Sequence, residues 1–456
     1  MSRQAGRATS RGLALQALIA IDAGARANVI LPELLGASAL DERDRRLATE
    51  LVYGTCRMRR ACAWLVDRHV KARNTGKRRT RAQGRSSSPS EGLDPDIRSA
   101  LHLGAYQLGW TRIPARAAVG ATVEEVRGPG RSMVNAVLRR VADDLAGDLA
   151  GDRAGDFADH RAGDFADHRA ARLTDGPGRW PDVGTELSYP DWVVDVLESD
   201  LGAVDARAAL EAMNRPASVS VRPDGYIQDP ASQMVVQYVA SLAGDGPVLD
   251  MCAAPGGKAT ALAGTSAPER NPSLAGSETH PVDRRFVVAA DVSEARSRVV
   301  ARNAADVGCS SLATVVADGA DPPWRSGSFE TILLDAPCSG LGVLRRRPDA
   351  RWRRRRSDMG RLATLQRRLA TSAIQLLRPG GSLVYSVCTV SAAETIEFDR
   401  WLQSVAPALI ALAPPGAPWR ALGRGALLLP QDADSDGMYV LGLRLSGESA
   451  RLNPCP

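Results

Sequence analysis

The hydrophobic rhythm of the 456-residue chain changes about half-way along. Over residues 10 to 70 and 93 to 145, apolar side chains recur every three or four positions, as in LATELVYGTCRMRRACAWLV and IRSALHLGAYQLGW. That is the period of helices with one buried face, and it predicts an all-helical first domain over 8–145. The segment YPDWVVDVLESDLGAVDARAALEAMN keeps the helical period, with Pro190 near a helix start, and predicts a helical subdomain over 181–226. Beyond Pro247 the pattern becomes short β-branched runs, PVLD, RFVVAAD, ATVVAD, ETILLD and GSLVYSVC, separated by helical stretches. Strands alternating with helices predict an α/β domain over 227–446 built on a doubly wound, mostly parallel sheet.

Two stretches follow neither rhythm. KARNTGKRRTRAQGRSSSPSEG carries seven cations from Lys71 to Arg85 and no acid among them. It predicts a disordered basic insertion over about 72–92, either an RNA-attracting arm or a solvated charge run. Residues 146–180 contain the octapeptide RAGDFADH twice, at 153–160 and 161–168. Two copies are too few for a stacked repeat architecture, so the stretch reads as an expanded low-complexity linker. A third segment, GTSAPERNPSLAGSETHPVDRR, separates the first two strands and reads as a surface loop.

Composition narrows the function classes. Apolar residues make up 44% and charged residues 24%, the balance of a globular protein. No apolar run reaches the roughly 18 residues of a membrane span. The N-terminus reads as an ordinary helix and not an export signal, which implies a cytoplasmic protein. The seven cysteines, Cys56, Cys62, Cys252, Cys309, Cys338, Cys388 and Cys455, form no CxxC pair, which argues against a disulfide framework or a zinc ribbon. Of five histidines two lie in the octapeptide repeat, so no metal site is expected. The net charge of +6 is compatible with a polyanionic partner, and only three of 58 basic residues are lysines. Guanidinium forks suit phosphate, although genome composition produces the same bias.

The chemistry gathers at the strand ends, where doubly wound sheets bind ligands. Asp250 and the loop Cys252, Ala253, Ala254, Pro255, Gly256, Gly257, Lys258 follow the first run; Asp291 follows the second, Asp318 the third, Asp335 and Cys338 the fourth, and Cys388 the fifth. The small residues of the loop allow backbone N–H groups to approach a ligand closely. The loop fits neither the P-loop nor the dinucleotide GxGxxG pattern, because Ala259 follows Lys258 and Cys252 stands where a P-loop has glycine. Asp291 is placed to accept from a ribose diol and Asp318 to meet an adenine amine. Two cysteines at one crevice suit methylation of cytosine carbon 5. A thiolate first adds at carbon 6, a carboxyl group such as Asp335 holds the N3 and amine edge, and a base such as Cys338 removes the carbon 5 proton.

DMCAAPGGK, DAPCSGLGVLRRRPD and YSVCTV resemble the motifs of the NOL1/NOP2/Sun family of RNA cytosine-5 methyltransferases, and the helical N-terminus, with ALQALIAID, ERDRRLATELVYGTCRMR and RSMVNAVLRRV, resembles a NusB-like RNA-binding domain. The pairing is similar to the bacterial Sun subgroup, which acts on small-subunit ribosomal RNA. The resemblance implies a Rossmann-like fold, S-adenosylmethionine as cofactor, and RNA, ribosomal by analogy, as partner of a monomer. It implies Cys388 as nucleophile and Cys338 as the group that assists release. Residues 252 to 258, Asp291, Asp318 and Asp335 would line the cofactor pocket, with QDPASQ and LLPQDADSDGMY, including Asp436 and Gly437, packed around it. DNA enzymes use the Pro-Cys cysteine instead, so both cysteines together imply RNA.

The chain departs from that pattern in three places. Val387 and Thr389 flank Cys388 where the family has Thr and Ser, and Ala393 and Thr395 flank Glu394 where it tends to have an acid and Asn. DGYI stands where relatives have a piece of roughly 40 residues, long for a connecting loop, in an RNA-contacting subdomain between RPASVSVRP and QDPASQ. The run Arg345, Arg346, Arg347, Arg351, Arg353, Arg354, Arg355 and Arg356, with Trp352 inside it, reads as a phosphate-gripping surface with a stacking ring, or as a solvated helix face. Two other functions fit the sequence: the same chemistry on transfer RNA or another RNA, and a non-catalytic RNA-binding assembly factor.

Overall fold

A computed structural model describes residues 9–70, 88–151, 180–264 and 285–447. Most of the basic insertion, both octapeptide copies and most of the segment between the first two strands lie outside the described residues. The chain divides into two compact units: Met1–Val194 with Arg347–Arg353, and Asp195–Arg346 with Arg354–Pro456.

The first unit is helical, and its helices start where the sequence caps them. The Thr9 hydroxyl accepts from the Gly12 N–H at 2.9 Å to open Ser10–Asp22. Asp41 accepts from the Asp44 N–H at 2.8 Å to open Glu42–Arg57, and Pro95 heads Pro95–Trp110, where its missing N–H removes no helical bond. The apolar faces, among them Leu13, Leu51, Leu65, Leu101, Leu108 and Leu138, close one core. Gly54 permits a close approach there, since a Cβ at that position would stand 2.0 Å from the Tyr106 ring.

The boundaries of this unit differ from the sequence expectation. The helix Gly130–Gly151 runs past residue 145, and residues 180–194 group with the first unit and not with 195–226. Arg60 supplies the reason, because its guanidinium donates to Tyr189 O at 2.8 Å, Thr185 Oγ1 at 3.0 Å and Asp182 Oδ1 at 2.9 Å.

The arginine run also differs. Arg351 is 1% exposed, stacks its guanidinium 3.8 Å from the Tyr189 ring centroid, and donates to Arg57 O at 3.2 Å and Ser188 O at 3.3 Å. Burial lowers its pKa to about 10. Trp352 donates its indole N–H to Cys56 O at 2.7 Å, and Arg353 pairs with buried Asp349 at 2.7 Å. In the second unit Arg345 is buried against Pro216 O and Asp434, and Arg346 pairs with Asp436. Half of the run, Arg345, Arg351, Arg353 and Arg354, is therefore buried or half-buried in interior bonding and not a phosphate grip, and Trp352 is no stacking ring. A planar guanidinium can be buried when carbonyls, carboxylates and a ring face occupy its donors and faces. Arg347, Arg355 and Arg356 remain exposed, as does Arg346 while it pairs with Asp436.

The second unit is built on a nine-stranded sheet: β1 Val248–Asp250, β2 Val287–Asp291, β3 Leu312–Val316, β4 Phe329–Asp335, β5 Leu377–Val387, β6 Leu409–Ala411, β7 Arg420–Leu422, β8 Gly425–Leu428 and β9 Met438–Leu445. The order is β3-β2-β1-β4-β5-β9-β8-β7, with β6 on β9. The first five strands are parallel and β9 runs antiparallel to β5. β1 and β2 are buried throughout, as strands covered on both faces must be. Strand order reverses between β1 and β4, which opens the ligand crevice at their carboxyl ends.

Candidate functional site

Each element beside this crevice delivers one side chain to it. The turn after β1 leads into the helix Gly257–Gly264 through Gly256, whose φ of +107° favours glycine and whose Cβ would stand 3.2 Å from Val300 Cα. Lys258 lies in the first turn of that helix, and its ammonium donates to Asp335 Oδ2 at 2.8 Å and to Ser232 Oγ at 3.4 Å. Burial pulls the Lys258 pKa down, but the Asp335 carboxylate outweighs it and the net direction is up. The ammonium therefore stays charged. In the β4–β5 register Asp335 pairs with Ser386, whose hydroxyl donates to Asp335 Oδ1 at 3.0 Å. Each oxygen of this carboxylate thus has a donor, which leaves the remaining lone pairs available as acceptors.

Cys338, three residues beyond β4, and Cys388, one residue beyond β5, bring their sulfurs to 3.3 Å as free thiols. Their shared hydrogen bond moves the two in opposite directions: Cys388 falls below the ordinary thiol value and Cys338 rises well above it. That hydrogen bond is the largest cause for both; burial and Asp335 oppose ionisation of either sulfur, Glu394 adds to them at Cys338, and Lys258 counters them at Cys388. One thiol donates and the other carries the charge.

Three backbone and hydroxyl contacts hold the pair. Ser339 and Thr389, the residues after the two cysteines, join hydroxyls at 2.9 Å. The Gly342 N–H donates to Cys388 O at 3.1 Å, and the Gly437 N–H donates to Gly342 O at 2.9 Å. A Cβ on Gly342 would stand 2.0 Å from Gly437 O, so this position requires glycine for close approach. Arg354 donates to Cys338 O at 3.3 Å.

The acids expected around a cofactor lie along the other strand ends. Asp250 is fully buried with no hydrogen-bond partner for either oxygen among the described residues, and burial raises its pKa to about 7. Asp291 is buried, its Oδ1 accepting from the Ser293 N–H at 2.9 Å and from Arg296 at 2.9 Å. Asp318 is exposed and accepts from the Ala320 N–H at 2.9 Å. Burial raises the Cys252 thiol. Lys258, Asp335, Cys338 and Cys388 are thus brought into one cluster, while Asp291 closes β2 and Asp318 lies two residues beyond β3. The segments QDPASQ and DADSDGMY meet, with Asp229 Oδ1 accepting from the Ala231 N–H at 2.9 Å and the Asp436 N–H at 3.1 Å.

Several participants escaped the sequence reading. Arg222 reaches from the shortened segment to donate to Gly257 O at 2.6 Å and Thr260 Oγ1 at 3.1 Å, which ties that segment to the cofactor loop. Ser386 and Gln366 were also missed, and no local signal marks either one.

The chain matches the family described as 16S rRNA methyltransferase RsmB/F over residues 238–444 and the NusB family over residues 8–143. Ribosomal RNA small subunit methyltransferase B of Vibrio cholerae is 31% identical over 389 residues, which are 78% of this chain and 83% of the relative. The chain belongs to the RsmB/F methyltransferase family. Ribosomal RNA small subunit methyltransferase B of Salmonella arizonae is 30% identical over 95% of this chain and 98% of its own. Among solved structures, the crystal structure of PH0851 covers 96% of this chain and 99% of that one with a TM-score of 0.66 at 16% identity, a likeness of fold.

The residues present fit the S-adenosylmethionine that the sequence motifs imply. The crevice offers a glycine turn for close backbone approach, the buried, unpaired Asp250, and acids at the ends of β2 and β3. Such a donor set suits a cationic, diol-bearing nucleoside. Among the described residues no helix is long and apolar enough to cross a membrane, and no cluster of three His, Cys, Asp or Glu side chains could hold a metal ion.

Proposed function

We propose that this RsmB/F protein methylates carbon 5 of a cytosine in RNA, with 16S ribosomal RNA as the substrate, through a covalent Cys388 adduct. The observation that carries the reading is the 3.3 Å contact between two thiols whose pKa values are driven apart. S-adenosylmethionine supplies an electrophilic methyl group and would be held by residues 252 to 258, Asp291, Asp318 and Asp335.

The chain's own residues do the rest. The Cys388 thiolate forms a bond to carbon 6, and the electron pair of the 5,6 double bond makes carbon 5 nucleophilic. Asp335, clamped as a carboxylate by Lys258 and Ser386, accepts from the exocyclic amine, and Lys258 supplies positive charge as the pyrimidine edge becomes negative. After methylation the carbon 5 proton must leave so that the double bond re-forms and Cys388 departs as thiolate. Cys338 is the base for that step: it gives up its own proton to solvent after the adduct has formed and then, as thiolate, takes the proton from carbon 5. Its hydrogen bond to Cys388 and the Cys388 charge are two of the causes that hold its proton on, and both vanish once Cys388 is a neutral thioether. Adduct formation itself therefore prepares Cys338 to act.

Full-length protein incubated with 16S RNA and S-adenosylmethionine tests the reading by denaturing gel. Cys388→Ala abolishes methyl transfer, and Cys338→Ala slows release and accumulates a protein–RNA adduct. An adduct that persists in Cys388→Ala shows that the thiol roles are reversed. Bisulfite sequencing of 16S RNA from a strain lacking the protein identifies the position, and an unchanged 5-methylcytosine map overturns the substrate.

A further inference from the structure

Glu394 is a buried acid to which the reaction above assigns nothing. It is 0% exposed, and both its oxygens are engaged. Oε1 accepts from the Ser339 N–H at 2.9 Å and from Gln366 Nε2 at 2.9 Å, and Oε2 accepts from Ser391 Oγ at 3.1 Å. Ser339 follows Cys338, and Ser391 lies three residues after Cys388. Gln366 donates in addition to Pro337 O at 2.9 Å, so the peptide groups on both sides of Cys338 are held through this one network. Tyr385 on β5 donates to Glu394 O at 2.8 Å and to Gln366 Oε1 at 3.1 Å, which fixes the acid from behind.

We propose that Glu394 is a positioning residue that sets the spacing of the Cys338 and Cys388 thiols by tying the loop after β4 to the loop after β5. The inference rests on the thiol-pair reading above. A sulfur–sulfur hydrogen bond weakens steeply as its donor and acceptor separate, and here the two sulfurs ride on loops from different strands. Glu394 is a side chain that accepts from both loops and from the helix Arg356–Leu376 that carries Gln366. If its reach sets the spacing, a carboxylate one methylene shorter fails and an isosteric amide succeeds. In Glu394→Gln the amide oxygen replaces Oε1 as acceptor for Ser339 and Gln366, and the amide N–H faces Ser391 Oγ, which can accept as well as donate.

The experiment is the pH dependence of Cys388 alkylation by iodoacetamide in the full chain, read by peptide mass spectrometry, beside single-turnover methylation of 16S RNA. Glu394→Asp and Glu394→Ala are expected to move the Cys388 midpoint upward by about one pH unit or more, a tenfold loss of reactivity below the midpoint. The methylation rate falls by a similar factor while the S-adenosylmethionine KM is unchanged. Glu394→Gln keeps the midpoint and stays within about threefold of the parent rate. Melting curves accompany each variant; if Glu394→Ala does not fold, the contrast between Glu394→Asp and Glu394→Gln decides. A parent-like midpoint in Glu394→Asp overturns the positioning role, as does a Glu394→Gln midpoint shifted as far as that of Glu394→Asp. A parent protein whose Cys388 shows no enhanced reactivity refutes the thiol-pair reading itself, a separate failure.

Discussion

Arg351→Met separates the two meanings of the arginine-rich run. The guanidinium is 1% exposed, lies 3.8 Å from the Tyr189 ring centroid and donates to two carbonyls, so the substitution removes a cation–π contact and two charge-assisted hydrogen bonds at once. A desolvated cation–π contact is worth about 2 kcal/mol and each charge-assisted hydrogen bond about 1.5–3 kcal/mol. Against this stands the desolvation cost of the buried charge, which methionine no longer bears. The net loss expected is about 2–4 kcal/mol, because the carbonyls are left without a donor that methionine cannot replace. For a unit of this size that corresponds to a melting temperature lower by roughly 4–16 °C. Circular dichroism melts of the full chain measure the change, and filter binding across a salt series measures RNA affinity in the same samples. The expected result is a lowered first transition with an unchanged salt slope. The paired Arg355→Ala, Arg356→Ala variant should keep the parent melt and flatten the slope by about 0.7 for each phosphate that is no longer neutralised. A stable Arg351→Met protein with weakened RNA binding would refute the reasoning and restore the run as a grip.

Three other outcomes follow from the same geometry. The rate of single-turnover methylation should rise with pH through the lowered Cys388 pKa and level off below the ordinary thiol range; Cys338→Ala removes the donor that lowers it, so the rising limb of Cys388 alkylation moves to higher pH. Gly342→Ala forces a Cβ against Gly437 O, and should cost about 1–3 kcal/mol in a urea melt while raising the Cys388 midpoint; an unchanged melt contradicts the close approach. The folded pKa of Asp250 is raised from 3.8 to about 7, so the native state binds more protons than the unfolded chain between those values, and its contribution is lost as pH rises through about 7. Asp250→Asn should therefore stabilise the cofactor-free protein above about pH 7 by up to roughly 4 kcal/mol and flatten its melting temperature against pH, and a parent-like slope in the variant would exclude that linkage.

What the sequence made legible is what it encodes locally. β1, β2 and β4 are short apolar runs closed by acids, and the glycine turn before Lys258 is a contiguous string, so the parallel half of the sheet and its crevice follow from pattern alone. The antiparallel half does not. β6 and β7 have three residues each and are mostly exposed or half-buried, which leaves too few positions to establish a period of two. Arginine is read as a surface residue by default, and the burial of Arg345 and Arg351 depends on carbonyls and rings more than a hundred residues away in sequence. The same distance hid Glu394: its partner Ser339 is 55 residues upstream, and the residues on either side of it depart from the family pattern.

The two thiols illustrate the limit and what lies beyond it. By sequence Cys338 and Cys388 are each a cysteine just past a strand in one crevice, and it is the resemblance that implies Cys388 as the nucleophile. The surroundings of the two sulfurs differ. Lys258 contributes positive charge at Cys388, which follows β5, and Glu394 contributes negative charge at Cys338, which follows β4, while Asp335 bears on both. Moving the proton from Cys338 to Cys388 would take the thiolate from beside the ammonium and place it beside Glu394, while Asp335 opposes ionisation at either sulfur. The proposed assignment of Cys388 as nucleophile and Cys338 as base therefore rests on the direction of one hydrogen bond between two strand ends, with Lys258 beside the first sulfur and Glu394 beside the second.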